Sequence, residues 1–393
     1  MLAKLRVLYD TPDRAALYRA CRRSLVPRRR TNPSVEHLQA AYQWIVTAQD
    51  AGGDGGVPAV YHLVRGWSAS YPETTGYLIP TLFAYAKRMR QPDAASRATR
   101  MADWEIAVQL PSGAVRSGYL SESPAPAVFN TGQVLFGWVA AWQETRNDAY
   151  AAAVQRAAAW LLARQDPDGA WRTNLSPLTT TRVQTYNVRT AWGLAVAGRT
   201  FDERTWTAAA RKNGDWALAQ QTADGWFEHC TFDESTPSLL HTIAYTLEGL
   251  VGLGSALGEE RFVHAAWRGA ERLARRVVAN GSLAGCYGPG WRADVSWTCP
   301  TGDAQTAIVF LRLARTLADC EPYSALASTL LTGIAARQDL HSPYPETRGA
   351  VAGSAPVWGG YCRLAYPNWA AKFYIDALLL SLHGHDVGAA HGT

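Results

Sequence analysis

A tryptophan with a glutamine five residues after it recurs along this chain, at Trp44 and Gln49, Trp104 and Gln109, Trp160 and Gln165, and Trp216 and Gln221. The glutamines are 60, 56 and 56 residues apart, and weaker copies follow at Asn280 and Gln338 after 59 and 58 more. A fixed period of this size marks a supersecondary unit that cannot bury its apolar face alone and stacks on copies of itself. Six such units account for almost everything after residue 34 of a 393-residue chain. A length that would otherwise accommodate two or three domains therefore reads as one ring with no room for a second core.

The stretch before each Gln, as at 152–164, repeats apolar residues at helical spacing with a polar face, and a Gly/Pro/Asp turn ends it. A second helix follows, apolar nearly all round and rich in small residues, at 131–142, 188–197, 242–257, 304–317 and 370–382. Helices with a charged face belong outside and those without one belong inside. The expected fold is all-α, a closed (α/α)6 toroid of six hairpins over 35–382, with a basic arm at 1–34 and a flexible tail at 383–393. The Trp and Gln near the ends of the outer helices are expected to tie neighbouring hairpins together.

With 48% hydrophobic and 18% charged residues, disordered, collagenous and coiled-coil classes are excluded. The formal charge of +5 is uneven: residues 1–30 hold nine basic and two acidic side chains, +7, which leaves the remainder at −2. A slightly acidic body argues against nucleic-acid binding. The arm at 14–26 reads as an amphipathic helix, either touching an acidic membrane or partner surface or packing on the ring with its arginines solvated. The chain has no apolar run of 18 residues and no signal-peptide pattern, so a soluble, cytoplasmic protein is expected. Its six cysteines lack a C-x-x-C spacing, and no metal or other cofactor is expected, although His229, Cys230, Cys286 and Cys299 fall in neighbouring loops.

Parallel inner helices would place their N-termini, with free N–H donors, around one mouth. Glu73, Asn130, Asn187, His241, Asp303 and Asn368 lie at 57, 57, 54, 62 and 65 residue intervals and form a candidate circle there. Asn130, Thr131, Thr301 and Asn368 suit helix capping equally well. Glu73, Arg189, His241, Tyr245 and Lys372 are ionisable or phenolic groups on otherwise apolar helices, expensive unless they meet water, a ligand or one another. Glu73 with Arg189 also reads as a buried ion pair, and His241 as a hydrogen-bonded core residue. The string Tyr-Pro-Glu-Thr-x-Gly occurs at 71–76 and again, out of register, at 344–349, where it is expected in a long loop over the mouth with Trp358 and Tyr361. Trp67, Trp226, Trp291, Trp297 and Trp369 fall on the same side, as sugar-stacking platforms or as loop packing.

The Gln-x-x-x-Gly-Trp turns resemble those of terpenoid-cyclase-like six-hairpin toroids. The segments at 70–81, 301–305 and 358–373 resemble bacterial VpsJ-like exopolysaccharide-biosynthesis proteins, over roughly residues 35–382. The resemblance implies a toroid working on or near surface polysaccharide and brings no catalytic mechanism with it. The Asp-x-Asp-Asp acid of squalene-hopene-type cyclases is absent, so the cyclase likeness implies fold only.

These residues favour a carbohydrate-active enzyme whose partner is an acidic saccharide. Arg189 and Lys372, with Asn130 or Asn187, would neutralise a uronate carboxylate and acidify its C5 proton, and His241 with Tyr245, Tyr186 or Tyr71 would move that proton, as in a lyase or C5-epimerase. The alternative is glycoside hydrolysis by Glu73 and Asp303, with Asp294 or Glu346 as substitutes. A glycan-binding toroid and a terpene-type cyclase are further alternatives. Oligomeric state is not legible.

Overall fold

A computed structural model describes residues 14–25, 31–120, 122–177 and 179–386. An N-terminal helix α1 (Arg14–Leu25) precedes the first outer helix α2 (Val35–Gly52). Inner and outer helices then alternate: α3 (Pro72–Met89) and α4 (Pro92–Val108), α5 (Val128–Thr145) and α6 (Asp148–Arg164), α7 (Val188–Thr200) and α8 (Arg204–Ala219). They continue with α9 (Leu240–Leu257) and α10 (Glu260–Asn280), α11 (Pro300–Thr316) and α12 (Tyr323–Ala335), and the last inner helix α13 (Asn368–Asp386). Each inner helix packs on the next, α13 packs on α3, and α2 pairs with α13, so the ring is closed and is the expected (α/α)6 toroid.

Burial follows the sequence pattern. The inner helix α9 is buried at every residue from Leu240 to Gly254, whereas the outer helix α10 buries one stripe, including Phe262, Ala266, Ala270, Leu273 and Val277. Glycine is what lets the inner backbones approach: a Cβ on Gly132 would lie 2.6 Å from the Cα of Thr190, and one on Gly249 would lie 3.0 Å from the Cα of Arg189.

The repeated glutamine does the joining. Each side-chain amide donates to a carbonyl of its own turn and to a carbonyl of the next outer helix: Gln49 to Gly55 and Arg97, Gln109 to Gly113 and Ala153, Gln165 to Gly169 and Ala209, Gln221 to Gly225 and Ala265. Gln338 closes the circle through the carbonyls of Gly349 and His37 at 2.7 and 3.1 Å. The partnering tryptophans pack at the same joints, Trp104 against the Gly55–Gly56 turn and Trp44 through its Nε1 on the Glu346 carbonyl at 2.8 Å. Asn280 is exposed and makes no such bond among the described residues, so the joint from α10 to α12 lacks the tie.

The bond from Gln338 to Gly349 also relocates the second Tyr-Pro-Glu-Thr-x-Gly string. Residues 344–349 are the enlarged counterpart of the Gly turns that follow the other glutamines, with Gly349 at φ 75° close against the backbone of Ala40, rather than a lid over the mouth. The last and first units are stitched further by an antiparallel sheet in which β1 (Val60–His62) lies between β2 (Gly66–Trp67) and β5 (Ala365–Pro367); β3 (Ser238–Leu239) pairs with β4 (Cys286–Tyr287). Helix α1 buries Ala16, Leu17 and Ala20 and holds Asp339 with Arg19 and Arg23, so the described part of the basic arm rests on the ring. Residues 1–13, 26–30 and 387–393, which include much of the arm and tail, lie outside the described residues. No described helix is long and apolar enough to cross a membrane.

Replacing Gln338 tests the ring closure. Gln338→Ala removes both donors, and Gln338→Glu keeps the size but supplies a carboxylate that only accepts. Each is expected to cost about 1–3 kcal/mol in urea unfolding, the cost of leaving buried carbonyls short of a partner. A loss below about 0.5 kcal/mol, the ordinary range for surface substitutions, would show that the closure rests on packing alone.

Candidate active site

The first inner helix opens with Pro72, whose fixed φ suits a helix start, and Tyr71 before it is extended at φ −129°. Tyr71 therefore folds its side chain back and donates from Oη to Glu73 Oε2 at 3.0 Å. Glu73 keeps partial solvent exposure, yet burial pushes its carboxyl up to about 7, against the lowering effects of the Tyr71 bond and the Arg189 charge. Near neutral pH it is roughly half protonated.

Tyr77, Tyr186 and Tyr245 surround this carboxyl: burial raises each phenol well above its ordinary range, and the charge of Glu73 raises each further. Their hydroxyls are buried, those of Tyr77 and Tyr245 turned towards each other and that of Tyr186 towards Thr179. Phe129 wedges them apart, edge-on to Tyr186 at 5.3 Å and to Tyr245 at 5.0 Å between centroids.

His241, near the start of α9, stacks on Tyr245 at 4.2 Å and faces Tyr361 at 5.4 Å, and Trp369 donates to the Tyr361 hydroxyl at 2.8 Å. Its Nδ1 lies 2.6 Å from Gln305 Oε1. A carboxamide oxygen only accepts, so the imidazole proton sits on Nδ1 and Nε2 carries the lone pair. Burial, helped by the Arg189 charge, pushes His241 down to about 4, so the ring is neutral at pH 7.

Charged groups underlie the aromatics. Arg189 pairs with Glu248 at 2.6 Å, donates to Gln133 Oε1 at 2.7 Å, and lies under Tyr245 and Phe373. Lys372 pairs with Asp376 at 2.7 Å and sits over Phe373 at 4.1 Å and Tyr77 at 5.0 Å. Burial lowers the pKa of Lys372, and that of Arg312 beside it. With Glu73 protonated, Arg189, Arg312 and Lys372 outnumber the carboxylates Glu248 and Asp376 by one positive charge. Arg189 is tied to Glu248, and the Tyr71 hydroxyl is the hydrogen-bond partner of Glu73, so the alternative of a Glu73–Arg189 ion pair is not what forms.

Tyr71, Glu73, Tyr186, Arg189, His241, Tyr245 and Lys372 are therefore brought together. Asn130 and Asn368 sit beside them as loop braces, donating to the carbonyls of Arg116 and Pro58 at 3.0 Å each, while Asn187 contacts Gln184 at 3.5 Å; the Oδ1 atom of each is buried and unpartnered among the described residues. Asp303 is not among them. It lines a separate cavity with Arg337 and Asn280, because its position on the first turn of α11 faces the outer helices. Trp226 and Trp291 are buried edge-on against each other at 5.3 Å, with Trp291 Nε1 on the Asp224 carbonyl, which leaves them no free ring face for a sugar. Trp297 covers Gly285 and Gly360, and Trp369 alone of these four touches the His241 cluster, through Tyr361.

Sequence reading missed Glu248, Arg312 and Asp376, since it sought polar groups at helix starts and these lie near mid-helix. Charged residues inside apolar inner helices were the available signal. Cys230 approaches Thr246 and His229 approaches Glu234, and among the described residues no group of three or more His, Cys, Asp or Glu is placed to hold a metal ion.

No family model matches this chain, and no curated protein matches it. Solved structures do. The chain is similar, at TM-score 0.70 and 17% identity over 89% of this chain and 97% of the other, to an unsaturated glucuronyl hydrolase specific for heparin. An unsaturated glucuronyl hydrolase from Bacillus sp. GL1, responsible for the degradation of glycosaminoglycan, gives TM-score 0.68 and 16% identity over 88% and 96%. Cellobiose 2-epimerase from Bacillus thermoamylovorans gives 0.69 and 11% over 88% and 97%. At such identities the likeness is one of fold: the chain shares the (α/α)6 toroid of these carbohydrate enzymes along nearly its whole described length.

Proposed function

We propose that this toroid is a carbohydrate-active enzyme that abstracts a proton from an acidic, uronate-containing glycan, as a lyase or C5-epimerase. The observation that carries this reading is the pair of opposed titrating groups around Tyr245: a neutral imidazole with Nε2 unprotonated and a carboxyl pushed up to about 7. Environments that reverse the usual order, with the imidazole titrating below the carboxyl, leave a free base and a protonated acid together between the two values. His241 Nε2 would take the C5 proton, and the excess positive charge of Arg189, Arg312 and Lys372 would favour the uronate and the charge that develops on its carboxylate. Protonated Glu73 would donate to the departing glycosidic oxygen in a lyase, and a phenol from Tyr245 or Tyr186 would return the proton in an epimerase. The toroid neighbours named as uronyl hydrolases and as an epimerase support the substrate class. The VpsJ-like segments support a role in polysaccharide biosynthesis or processing, and the sequence without a signal-peptide pattern supports a cytoplasmic setting.

Hydrolysis is the second reading, favoured by the hydrolase neighbours and by Glu73 as an acid. Its expected second carboxylate is not at the centre, since Asp303 lies in another cavity with its carboxyl pushed up to about 8, protonated where a general base must be ionised.

Uronate oligosaccharides incubated in D2O are expected to give deuterium at C5 or the absorbance of an unsaturated product, and His241→Ala is expected to lower the rate by about 10²–10⁴-fold. Release of reducing ends without either signal would select hydrolysis, and no product from any uronate glycan would remove the enzymatic reading.

The same assignment sets the pH profile. A base titrating at about 4 and an acid at about 7 make kcat/KM rise through the first value and fall through the second. Glu73→Gln is expected to slow turnover and remove the upper limb; an upper limb that survives in this variant would exclude Glu73 as the acid.

A further inference from the structure

A cavity opens at the joint without a glutamine tie. It measures about 750 Å³ and is bounded by the end of α10 at Asn280, by α12, by the loop at 350–357 and by α1. That volume lies within the range of small-molecule sites. At the five tied joints an amide clamps the neighbouring outer helices together, whereas here Asn280 is exposed and no such amide bond is made among the described residues. Helix α1 closes the outer side through Arg19, which grips Asp339 at 2.7 and 3.0 Å, and Arg23, which bonds the Gln338 carbonyl.

The lining has a definite chemistry. Asp303 is 7% exposed, lines the cavity, and has an Oδ1 without a hydrogen-bond partner among the described residues. Burial pushes its carboxyl up to about 8, so at neutral pH it offers an O–H as well as an acceptor. Ser296, Ser328, Thr332 and Arg337 also line it. Arg19 is held by ionised Asp339, and Arg337 adds a further positive charge to the lining. Hydroxyl donors and acceptors around a protonated carboxyl suit a polyol, and the further cation suits an acid group on it.

We propose that this flank cavity is a second binding site, separate from the His241 cluster, for a small sugar acid. Binding there has a short route to the central site. Asp303 stands two residues from Gln305, which holds His241, and Ser354 in the wall holds the Tyr361 backbone at both its N–H and its carbonyl, at 2.9 and 2.5 Å. The proposal concerns binding alone and stands independently of the reaction assigned to the centre.

Calorimetric titration with sodium D-glucuronate, and with D-glucose as the neutral comparison, tests it on the full chain. The His241→Ala protein is expected to retain glucuronate binding, with glucose at least about tenfold weaker. Arg337→Ala, at an exposed position, is expected to weaken glucuronate about tenfold or more, and Thr332→Trp, which fills the cavity, to abolish the remainder; melting curves confirm that both variants fold. Ser328→Trp serves as the second filling variant if Thr332→Trp melts early. Absence of binding by the His241→Ala protein up to about 10 mM, or binding indifferent to both filling variants and to Arg337→Ala, overturns the proposal. Loss of turnover in that protein with flank binding intact would bear on the central mechanism alone.

Discussion

Five glutamine side chains hold this ring in register. Each outer helix ends where its final carbonyls have no intrahelical partner, and a turn must then carry the chain inward to the next inner helix. The glutamine amide answers both needs, with one donor to the turn carbonyl and one to a neighbouring helix that is about 44 to 48 residues further on in sequence. Register between hairpins is therefore set by a directional bond as well as by apolar packing, which is non-directional. Gln338 makes the same bond across the seam to residue 37, so the circle closes by the device that builds it. Everything at the mouth depends on this, because the inner helices start where the turns release them.

The ring geometry then makes polar chemistry at its centre unavoidable. Inner helices apolar on nearly every face can approach closely only through small residues such as Gly132 and Gly249, and their converging starts bring Glu73, Tyr245 and His241 into one volume. There the low dielectric acts on each group in its own direction. It raises the carboxyl and the phenols and lowers the imidazole, since in every case burial penalises the charged form. Deeper in the ring the same penalty is met by pairing: Arg189 with Glu248 and Lys372 with Asp376, with aromatic faces over both cations.

Periodicity made the architecture legible, because the hydrophobic pattern and the glutamine spacing carry the same 3.6-residue and near-60-residue regularities that the folded helices obey. The site was legible in part. His241 with Tyr245, four residues apart on one face, and the polar starts of α3 and α7 were visible for that reason. What periodicity does not encode is azimuth. Asp303 occupies the same register as Glu73, yet α11 turns it outward, and two residues later Gln305 is turned inward to His241. Partner choice was equally hidden: Arg189 pairs with Glu248 some 59 positions away rather than with Glu73, and only the packed ring brings them together. The tryptophans misled for a different reason, since Trp226 and Trp291 lie on the mouth side of the chain but spend both faces on packing.

The buried polar groups at the centre are the ones the proposed reaction would use. Tyr77 and Tyr245 turn their hydroxyls towards each other and Tyr186 turns its own towards Thr179, all around a carboxyl that burial already destabilises. A ring selected only to hold its shape would carry phenylalanine at these positions, as it does at Phe129, Phe310 and Phe373. Burial of a carboxyl beside three phenols and a neutral imidazole in one cluster is unfavourable to the charged form, and the glutamine joints and apolar outer interfaces hold the ring together around it. Polar groups gathered in this way suit a ligand that supplies donors and acceptors of its own. A saccharide, with a hydroxyl on most of its carbons, supplies both in quantity.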